Sequence, residues 1–296
     1  MFYGLGTALI TPFDENYNVD YEALRKITRF QIDSNVEALI VLGTTGESPV
    51  ISLSEREKIV ATVIEVAMGK TKIIVGTGTN DTNDVVEMNK IAEKQNVDGI
   101  LIVNPYYNKG TQESLIAHYK YISERTTLPI LLYNVPTRTG MNILPETAVK
   151  ISEQCKNVKG IKEACGNISQ IAHLFSIKPD SFLVYSGNDD QTLAIISLGG
   201  VGEISVFSNA FPSQKKSLVD AALNGDFKTA RELNNKYMKM MNILFVETSP
   251  SPIKFVMSEL GYCKNILRLP MAPILEKNEM ILRKELNYLA AEQRGI

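Results

Sequence analysis

Cysteine, histidine and tryptophan are scarce in this 296-residue sequence, which has three cysteines, two histidines and no tryptophan. Cys155, Cys165 and Cys263 form no Cys-x-x-Cys pair, which argues against a disulfide framework and a structural zinc site. His118 and His173 both fall in helical patterns, so we interpret them as structural and predict no metal site. We therefore expect any catalysis to rest on lysine, tyrosine, threonine, arginine or carboxylates.

The sequence also lacks an excess of charge and a long apolar run. Its 31 Lys+Arg and 33 Asp+Glu give a net charge of −2, which offers no electrostatic basis for binding nucleic acid or an anionic membrane. The longest unbroken apolar run, Ala38–Leu42, is far shorter than the roughly 18 residues of a membrane span. The first residues show no charged region followed by an apolar one, so we expect no secretory signal and a cytoplasmic protein.

Short apolar runs alternate with amphipathic helical patterns along most of the chain. The runs are continuous in Val, Ile and Leu, as expected for parallel strands buried on both faces. We predict strands at Gly6–Ile10, Ala38–Leu42, Lys72–Val75, Gly99–Val103, Pro129–Tyr133, Val158–Ile161, Phe182–Tyr185 and Gly202–Val206. Alternation of strand and helix over roughly 230 residues favours an α/β fold of the (β/α)₈ TIM-barrel type over an open doubly wound sheet.

Local signals support the helices between these strands. Ser52 and Glu55 form a predicted capping box, and Pro145 suits the first turn of the fifth helix. Beyond Phe211, residues 213–246, 250–261 and 276–293 have helical patterns without a strand signal. We interpret them as the last barrel helix and a C-terminal helical extension, and predict a barrel domain over residues 1–225 and the extension over residues 226–296.

Polar motifs follow the carboxyl ends of the predicted strands, where (β/α)₈ barrels carry their chemistry. In chain order they are GTTGES (43–48), GTGTN (76–80), NPYYN (104–108), YNVPTRTG (133–140), GIKEA (160–164) and SGNDD (186–190). Because all these ends meet at one rim of a barrel, the motifs are expected to converge there.

Lys162 is the most informative residue of these motifs. It follows Ile161 without a turn residue, so it is expected to lie on the strand and to point inward. Partial desolvation there favours the neutral amine that forms a Schiff base. The alternative is a solvated lysine at the strand end, paired with Glu163.

Other motifs leave alternatives open on composition alone. The GTG sequence at 76–78 follows a strand but does not complete G-x-G-x-x-G, so a dinucleotide site is disfavoured. Asp189 and Asp190 suit a magnesium site or, more simply, a helix N-cap. Thr44-Thr45 heads a predicted helix and suits either carboxylate binding or capping. Tyr106-Tyr107 suits a core or an interface better than catalysis.

Taken together, GTTGES, PYYNK, YNVPTRTG, GIKEA and SGNDD closely resemble, in order and spacing, the dihydrodipicolinate synthase (4-hydroxy-tetrahydrodipicolinate synthase) family. That family belongs to the N-acetylneuraminate lyase superfamily of class I aldolases. The resemblance runs from Gly6 to Pro270, essentially the whole chain. It implies a lyase of the diaminopimelate and lysine pathway that condenses pyruvate with L-aspartate 4-semialdehyde and needs no cofactor beyond an imine on its own lysine.

The resemblance also implies roles for individual residues. Lys162 matches the imine-forming lysine, and Tyr133 matches the proton donor and acceptor beside it. Thr44 and Tyr107 match a proton relay to solvent, with Tyr107 reaching in from a neighbouring subunit of an expected homo-oligomer, a homotetramer built as a dimer of dimers. In the substrate site, contacts to pyruvate match Thr45 and Ile204, and the clamp for the semialdehyde carboxylate matches Arg138.

Lysine-sensitive relatives carry a regulatory cleft whose equivalents here are Ser48, Leu53, Arg56, Asn80, Asp84 and Tyr106. Two histidines of that cleft are replaced, by Leu53 and Arg56, so lysine inhibition is expected to be weak or absent. Two further departures from the family pattern are Gly110, which should loosen the loop that holds Tyr107, and Glu203. A carboxylate at position 203 either faces the outer helices with a partner or has a raised pKa.

Alternative functions within the superfamily are N-acetylneuraminate lyase and sugar-acid aldolases, which share the imine lysine. Arg138 and the Tyr106-Tyr107 pair fit the synthase better. A catalytically silent barrel that only binds a ligand is a third possibility, disfavoured by the intact set of Lys162, Tyr133, Thr44 and Tyr107.

Overall fold

The computed structural model describes the backbone of residues 1–294 and the side chains of residues 1–290. Within that part, eight parallel strands close into a barrel in chain order, which confirms the predicted fold. The strands are β1 (Gly4–Ala8), β2 (Ala38–Val41), β3 (Lys72–Gly76), β4 (Gly99–Val103), β5 (Ile130–Asn134), β6 (Val158–Glu163), β7 (Leu183–Ser186) and β8 (Gly202–Ser205). The barrel closes where β1 pairs with β8, with Gly6 opposite Ile204.

Helices surround the barrel. They are α1 (Tyr21–Asp33), α2 (Leu53–Ala67), α3 (Thr82–Lys94), α4 (Gln112–Ser123), α5 (Pro136–Thr139), α6 (Pro145–Gln154), α7 (Ile168–Ile177), α8 (Thr192–Ser197), α9 (Pro212–Leu223), α10 (Phe227–Ile243), α11 (Ser251–Glu259) and α12 (Glu276–Arg294). The predicted capping box is present at the start of α2: Ser52 accepts from the Glu55 N–H, and Glu55 accepts from the Ser52 N–H. Pro145 opens α6 rather than the fifth helix, because the one-turn helix α5 precedes it.

The predicted bounds agree for the strand Gly99–Val103, and those of the other seven strands differ from the observed ones by one or two residues at an end. The strand predicted at Gly6–Ile10 lies two residues earlier, at Gly4–Ala8, because the Ile10 N–H is taken by the Asn209 side chain at 3.1 Å instead of a neighbouring strand. The helical pattern predicted over residues 213–246 is divided into α9 and α10. Gly225 there has φ +78°, a left-handed conformation that favours glycine, and Asp226 caps α10 by accepting from the Thr229 N–H.

The strands separate two apolar layers, and this separation orients the rim residues. Leu5, Leu39, Ile100 and Ile161 point outward to the helices, whereas Ile40, Leu101, Leu131 and Ile204 fill the barrel. Residues that alternate along a strand face opposite sides. On β6, therefore, Lys162 faces the interior with Ala164, and Glu163 faces the helices with Ile161.

The C-terminal helices pack on the barrel instead of forming a separate core. Met240 of α10, Phe255 of α11 and Leu282 of α12 are buried in the same apolar cluster as the outer faces of the strands. Among the described residues, no helix is both long enough and apolar enough to cross a membrane.

Candidate active site

Lys162 lies inside the barrel beside Tyr133. Its side chain is only 5% exposed, and its Nζ is 4.4 Å from the centroid of the Tyr133 ring. The two residues are direct partners in the β5–β6 register. Gly187 leaves room for the lysine, since a Cβ at that position would lie 3.1 Å from Lys162 Cε. The predicted inward orientation of Lys162 is confirmed.

The alternative pairing of Lys162 with Glu163 is wrong, because the two side chains lie on opposite faces of β6. The Glu163 carboxylate accepts from the Asn134 side chain at 3.0 Å and from the Cys165 N–H at 2.8 Å. Burial raises the pKa of Glu163 to about 7. Glu163 thus belongs to a polar network on the helix side of the strand and does not pair with the Lys162 amine, which lies inside the barrel beside Tyr133.

A cavity of about 570 Å³ opens at the carboxyl ends of the strands. Thr44, Tyr133 and Arg138 line it together, which brings three of the predicted site residues around one space. Thr45 and Ile204 are buried at the same end of the barrel, at the end of β2 and on β8. A cavity of this size, with a few convergent polar groups, is typical of a small-molecule site.

Thr44 and Thr45 lie in a single 3₁₀ turn, Thr44–Gly46, and not at the start of the long helix expected after β2. The turn is held by its neighbours: the Thr11 hydroxyl donates to the Gly46 carbonyl at 2.8 Å. Glu47, immediately after the turn, has φ +54°. The separate helix α2 begins only at Leu53.

Arg138 lies on the short helix α5 and is positioned from the C-terminal extension. Its Nη2 donates to the Ser249 carbonyl at 3.0 Å. No local pattern in the sequence places Ser249, two residues before α11, at the rim. The remaining N–H groups of a guanidinium with one anchored nitrogen are well suited to a carboxylate.

The two tyrosines of the β4 loop have different environments. Tyr106 lines the cavity, and its hydroxyl lies 3.3 Å from Thr79 Oγ1. Tyr107 is 90% exposed and has φ +70°, an uncommon conformation for a bulky residue. The single chain therefore does not bring Tyr107 to Lys162, whereas Tyr133 lies directly beside it.

The interpretation of Asp189 as a helix cap for α8 is wrong. Its buried carboxylate accepts from the Ser205 hydroxyl at 2.5 Å and from the N–H groups of Val206 and Phe207, each at 3.1 Å. These bonds use the oxygens that the magnesium alternative would need. Asp189 thus fastens the chain after β8 to the end of β7.

Glu203 satisfies both possibilities that the sequence left open. It faces α9, where Lys215 Nζ lies 3.1 Å from its Oε2, and burial raises its pKa well above the usual range. Lys215 also lies 3.6 Å from Asp189 Oδ1. Burial opposes ionisation of Asp189, but the Lys215 charge and these hydrogen bonds hold its pKa below the usual value. The Lys215 ammonium group thus lies next to two buried carboxyl groups, those of Glu203 and Asp189.

Both histidines make contacts with neighbouring helices, in agreement with a structural role. His118 Nδ1 lies 2.9 Å from the Thr82 hydroxyl between α4 and α3, and burial lowers the pKa of its imidazole to about 4. His173 pairs with Glu146 at 2.8 Å on the surface.

The glycines of the GTG motif pack against neighbouring strands: a Cβ on Gly78 would lie 2.3 Å from the Val103 nitrogen.

Arg56 is the notable residue among the equivalents of the regulatory cleft. It donates to the Ser48 carbonyl at 2.5 Å, to the Ser48 hydroxyl at 2.6 Å and to the Ile51 carbonyl at 3.2 Å. Burial lowers the pKa of this guanidinium. Leu53 is 56% exposed beside it and offers no polar side-chain atom. Ser48, Leu53, Arg56, Asp84 and Tyr106 all line the cavity described above.

Comparison with known proteins gives full-length matches. Residues 1–289 match the dihydrodipicolinate synthetase family. A 4-hydroxy-tetrahydrodipicolinate synthase of Thermotoga neapolitana is 50% identical over 286 residues, 96% of this chain and 97% of that protein. The crystal structure of dihydrodipicolinate synthase from Thermotoga maritima superposes with a TM-score of 0.96 at 48% identity, covering 97% of this chain and 98% of that one. A structure described as a monomeric dihydrodipicolinate synthase variant has a TM-score of 0.93 at 47% identity, covering 97% of this chain and 96% of that one.

Proposed function

Because the chain belongs to the dihydrodipicolinate synthetase family, we propose that it condenses pyruvate with L-aspartate 4-semialdehyde through an imine on Lys162. It is a lyase of lysine and diaminopimelate biosynthesis, with 4-hydroxy-tetrahydrodipicolinate synthase activity and no cofactor. The observation that carries the proposal is the buried Lys162 amine beside Tyr133, a residue that lines one cavity together with Thr44 and Arg138.

The chemistry follows from this arrangement. The Lys162 amine attacks the pyruvate ketone and water leaves, which forms an imine. Loss of a methyl proton then gives an enamine, whose carbon attacks the semialdehyde. Tyr133 is placed to exchange protons beside the imine, and Thr44 continues the relay toward solvent. Cyclisation releases the product and restores Lys162.

The substrate contacts divide between two sides of the cavity. On one side, Thr45 would contact the pyruvate carboxylate and Ile204 would contact pyruvate through its own backbone. On the other side, Arg138 would clamp the semialdehyde carboxylate. In this proposal residues 1–225 form the catalytic barrel, and residues 226–296 form a helical extension that supports its rim.

A steady-state assay with pyruvate and the semialdehyde, with N-acetylneuraminate as the control substrate, tests the activity. Cleavage of N-acetylneuraminate without condensation would overturn the proposal.

Arg138→Ala should weaken use of the semialdehyde far more than formation of the pyruvate imine. Loss of a charge-assisted bidentate contact should cost roughly 2–4 kcal/mol of transition-state binding, or ~30- to 1000-fold in kcat/KM for the semialdehyde. Arg138→Lys is the matched control, because it keeps the charge but not the planar fork, and should recover only part of the loss. Near wild-type kinetics for Arg138→Ala would show that Arg138 is not the clamp.

We further propose a cytoplasmic homo-oligomer, a homotetramer built as a dimer of dimers, in which Tyr107 completes the proton relay of a neighbouring subunit. The support is the 90% exposure of this large aromatic side chain on a strained backbone, since aromatic residues are enriched at interfaces. In analytical ultracentrifugation at assay concentration, the protein should sediment as an oligomer. A fully active monomer would contradict this assembly.

Inhibition by L-lysine should be weak or absent. The Arg56 guanidinium is already engaged by the Ser48 carbonyl and hydroxyl, and Leu53 would leave polar atoms of a bound lysine unpaired at about 1–3 kcal/mol. In steady-state assays at saturating pyruvate, L-lysine should leave the rate of the wild-type enzyme nearly unchanged. Strong inhibition would mean that Arg56 binds the lysine carboxylate. The Leu53→His/Arg56→His double variant is the matched gain-of-function control and should become more sensitive.

A further inference from the structure

A buried ion pair joins the C-terminal extension to the loop that carries Thr44 and Thr45. Lys254 of α11 pairs with Glu47, and both side chains are almost completely inaccessible to solvent. Lys254 Nζ also donates to the Ile266 carbonyl at 2.9 Å and lies 4.0 Å from the centroid of the Phe13 ring. Two oppositely charged side chains are thus buried together at the barrel rim, away from water.

Glu47 is coupled directly to the turn before it. Its N–H donates to the Thr44 carbonyl at 3.1 Å, and its own backbone is left-handed, with φ +54°. A non-glycine residue in that conformation costs free energy and persists when its surroundings hold it in place. The Glu47 side chain is held on two sides by the extension, by Lys254 at Oε1 and by the Arg268 N–H at Oε2, 3.0 Å away.

The same extension also holds the far end of this segment. The Arg268 guanidinium binds the Glu55 carboxylate through both oxygens, at 2.5 and 2.9 Å, and donates to the Val50 carbonyl at 2.9 Å. Residues 47–55, which lead from the Thr44–Gly46 turn into the first residues of α2, are therefore held at both ends by residues 254 and 268.

Stability alone gives no reason to keep the buried pair. Replacing both members of a buried ion pair by neutral side chains of similar volume is often neutral or stabilising, whereas removing only one leaves an unpaired charge and is destabilising. What an ion pair adds is a defined geometry. Catalytic groups gain from such definition, because displacement of a reacting group by about 1 Å can cost ~10²-fold in rate.

We propose that Lys254 and Glu47 are positioning residues that hold the Thr44–Thr45 turn in register with Lys162 and Tyr133, so that the C-terminal extension sets the enzyme's affinity for pyruvate. This inference rests on the proposed function. It is specific to pyruvate, because Arg138, the proposed semialdehyde clamp, is held by a different contact of the extension, the Ser249 carbonyl, in which neither Glu47 nor Lys254 takes part.

The informative variant is the double substitution Glu47→Gln/Lys254→Met, which removes both charges and keeps similar volumes. Each single substitution should lower the melting temperature, and the double variant should recover most of that loss. Its KM for pyruvate should nevertheless rise roughly 10- to 100-fold. Its KM for the semialdehyde should stay within about twofold, because the Arg138 anchor is untouched. A double variant with the wild-type KM for pyruvate, or with equal rises for both substrates, would overturn the inference.

Two further variants keep the test decisive. Glu47→Asp retains both charges and should fold, yet its shorter side chain should displace the turn and raise the KM for pyruvate; an unchanged KM would also overturn the inference. Arg283→Met is the matched control: it breaks a pair with Glu259 (2.8 Å) between α12 and α11 and should leave both KM values unchanged. A change in the pyruvate KM of Arg283→Met would mean that general loosening of the extension is sufficient.

Borohydride reduction in the presence of pyruvate distinguishes a failure of the proposed function from a failure of the positioning role alone. If the wild-type enzyme forms no pyruvate adduct, the proposed function fails, and the positioning role fails with it. If the wild-type enzyme is trapped and the double variant keeps the wild-type KM for pyruvate, only the positioning role fails.

Discussion

Lys162→Met should abolish condensation, lowering kcat by roughly 10⁴- to 10⁶-fold, the range typical for loss of a covalent nucleophile. Methionine keeps the length and volume of the side chain inside the barrel, so the variant should fold and keep its melting temperature. The loss would then reflect the missing amine and not a collapsed cavity. Circular dichroism and the steady-state assay with both substrates measure these two properties.

Lys159→Met is the matched control, because Lys159 lies on the same strand but is exposed, and its Nζ donates to the Lys156 carbonyl at 2.8 Å. This variant should have nearly wild-type kinetics. If Lys159→Met lost as much activity as Lys162→Met, the assignment of the nucleophile to the inward-facing position would be wrong.

Tyr133→Phe should slow turnover by ~10²- to 10⁴-fold, the range for loss of a general acid–base group. The phenyl ring keeps its packing beside Lys162, so pyruvate should still bind and still form the imine. Rapid mixing with pyruvate, followed by the assay with the semialdehyde, would separate imine formation from the later proton transfers.

Tyr119→Phe controls for the removal of a buried phenol, because the Tyr119 hydroxyl donates to the Ile102 carbonyl at 3.1 Å, outside the barrel. That variant should lose some stability and keep its kcat. A Tyr133→Phe enzyme with unchanged kcat would show that another group carries the protons.

The sequence was sufficient to predict the features that depend on local periodicity. The continuous apolar runs predicted the buried parallel strands. The absence of a turn residue before Lys162 predicted its place on β6, and the alternation of a strand then placed its side chain inside the barrel. The capping box at Ser52 and Glu55 was likewise predictable, because both partners are three residues apart.

Contacts between distant segments were not predictable in this way. Glu47 belongs to the GTTGES motif, but nothing near it in the sequence indicates that its partner is Lys254. In the sequence, Lys254 is simply a charged residue within a predicted amphipathic helix. The anchor of Arg138 is a backbone carbonyl, at Ser249, and carries no side-chain signature. Asp189 resembles a cap for the following helix in the sequence. The N–H groups that donate to its carboxylate, those of Val206 and Phe207, follow a different strand, β8, so no local pattern reveals them.

Formation of the pyruvate imine on Lys162 can be tested by locating the trapped adduct in the protein. The wild-type protein is incubated with pyruvate, reduced with borohydride, digested and analysed by mass spectrometry. We expect one added pyruvate-derived mass on the peptide that contains Lys162, and none in Lys162→Met. An adduct on Lys159 or any other lysine, or no adduct in an enzyme that still condenses the two substrates, would contradict it.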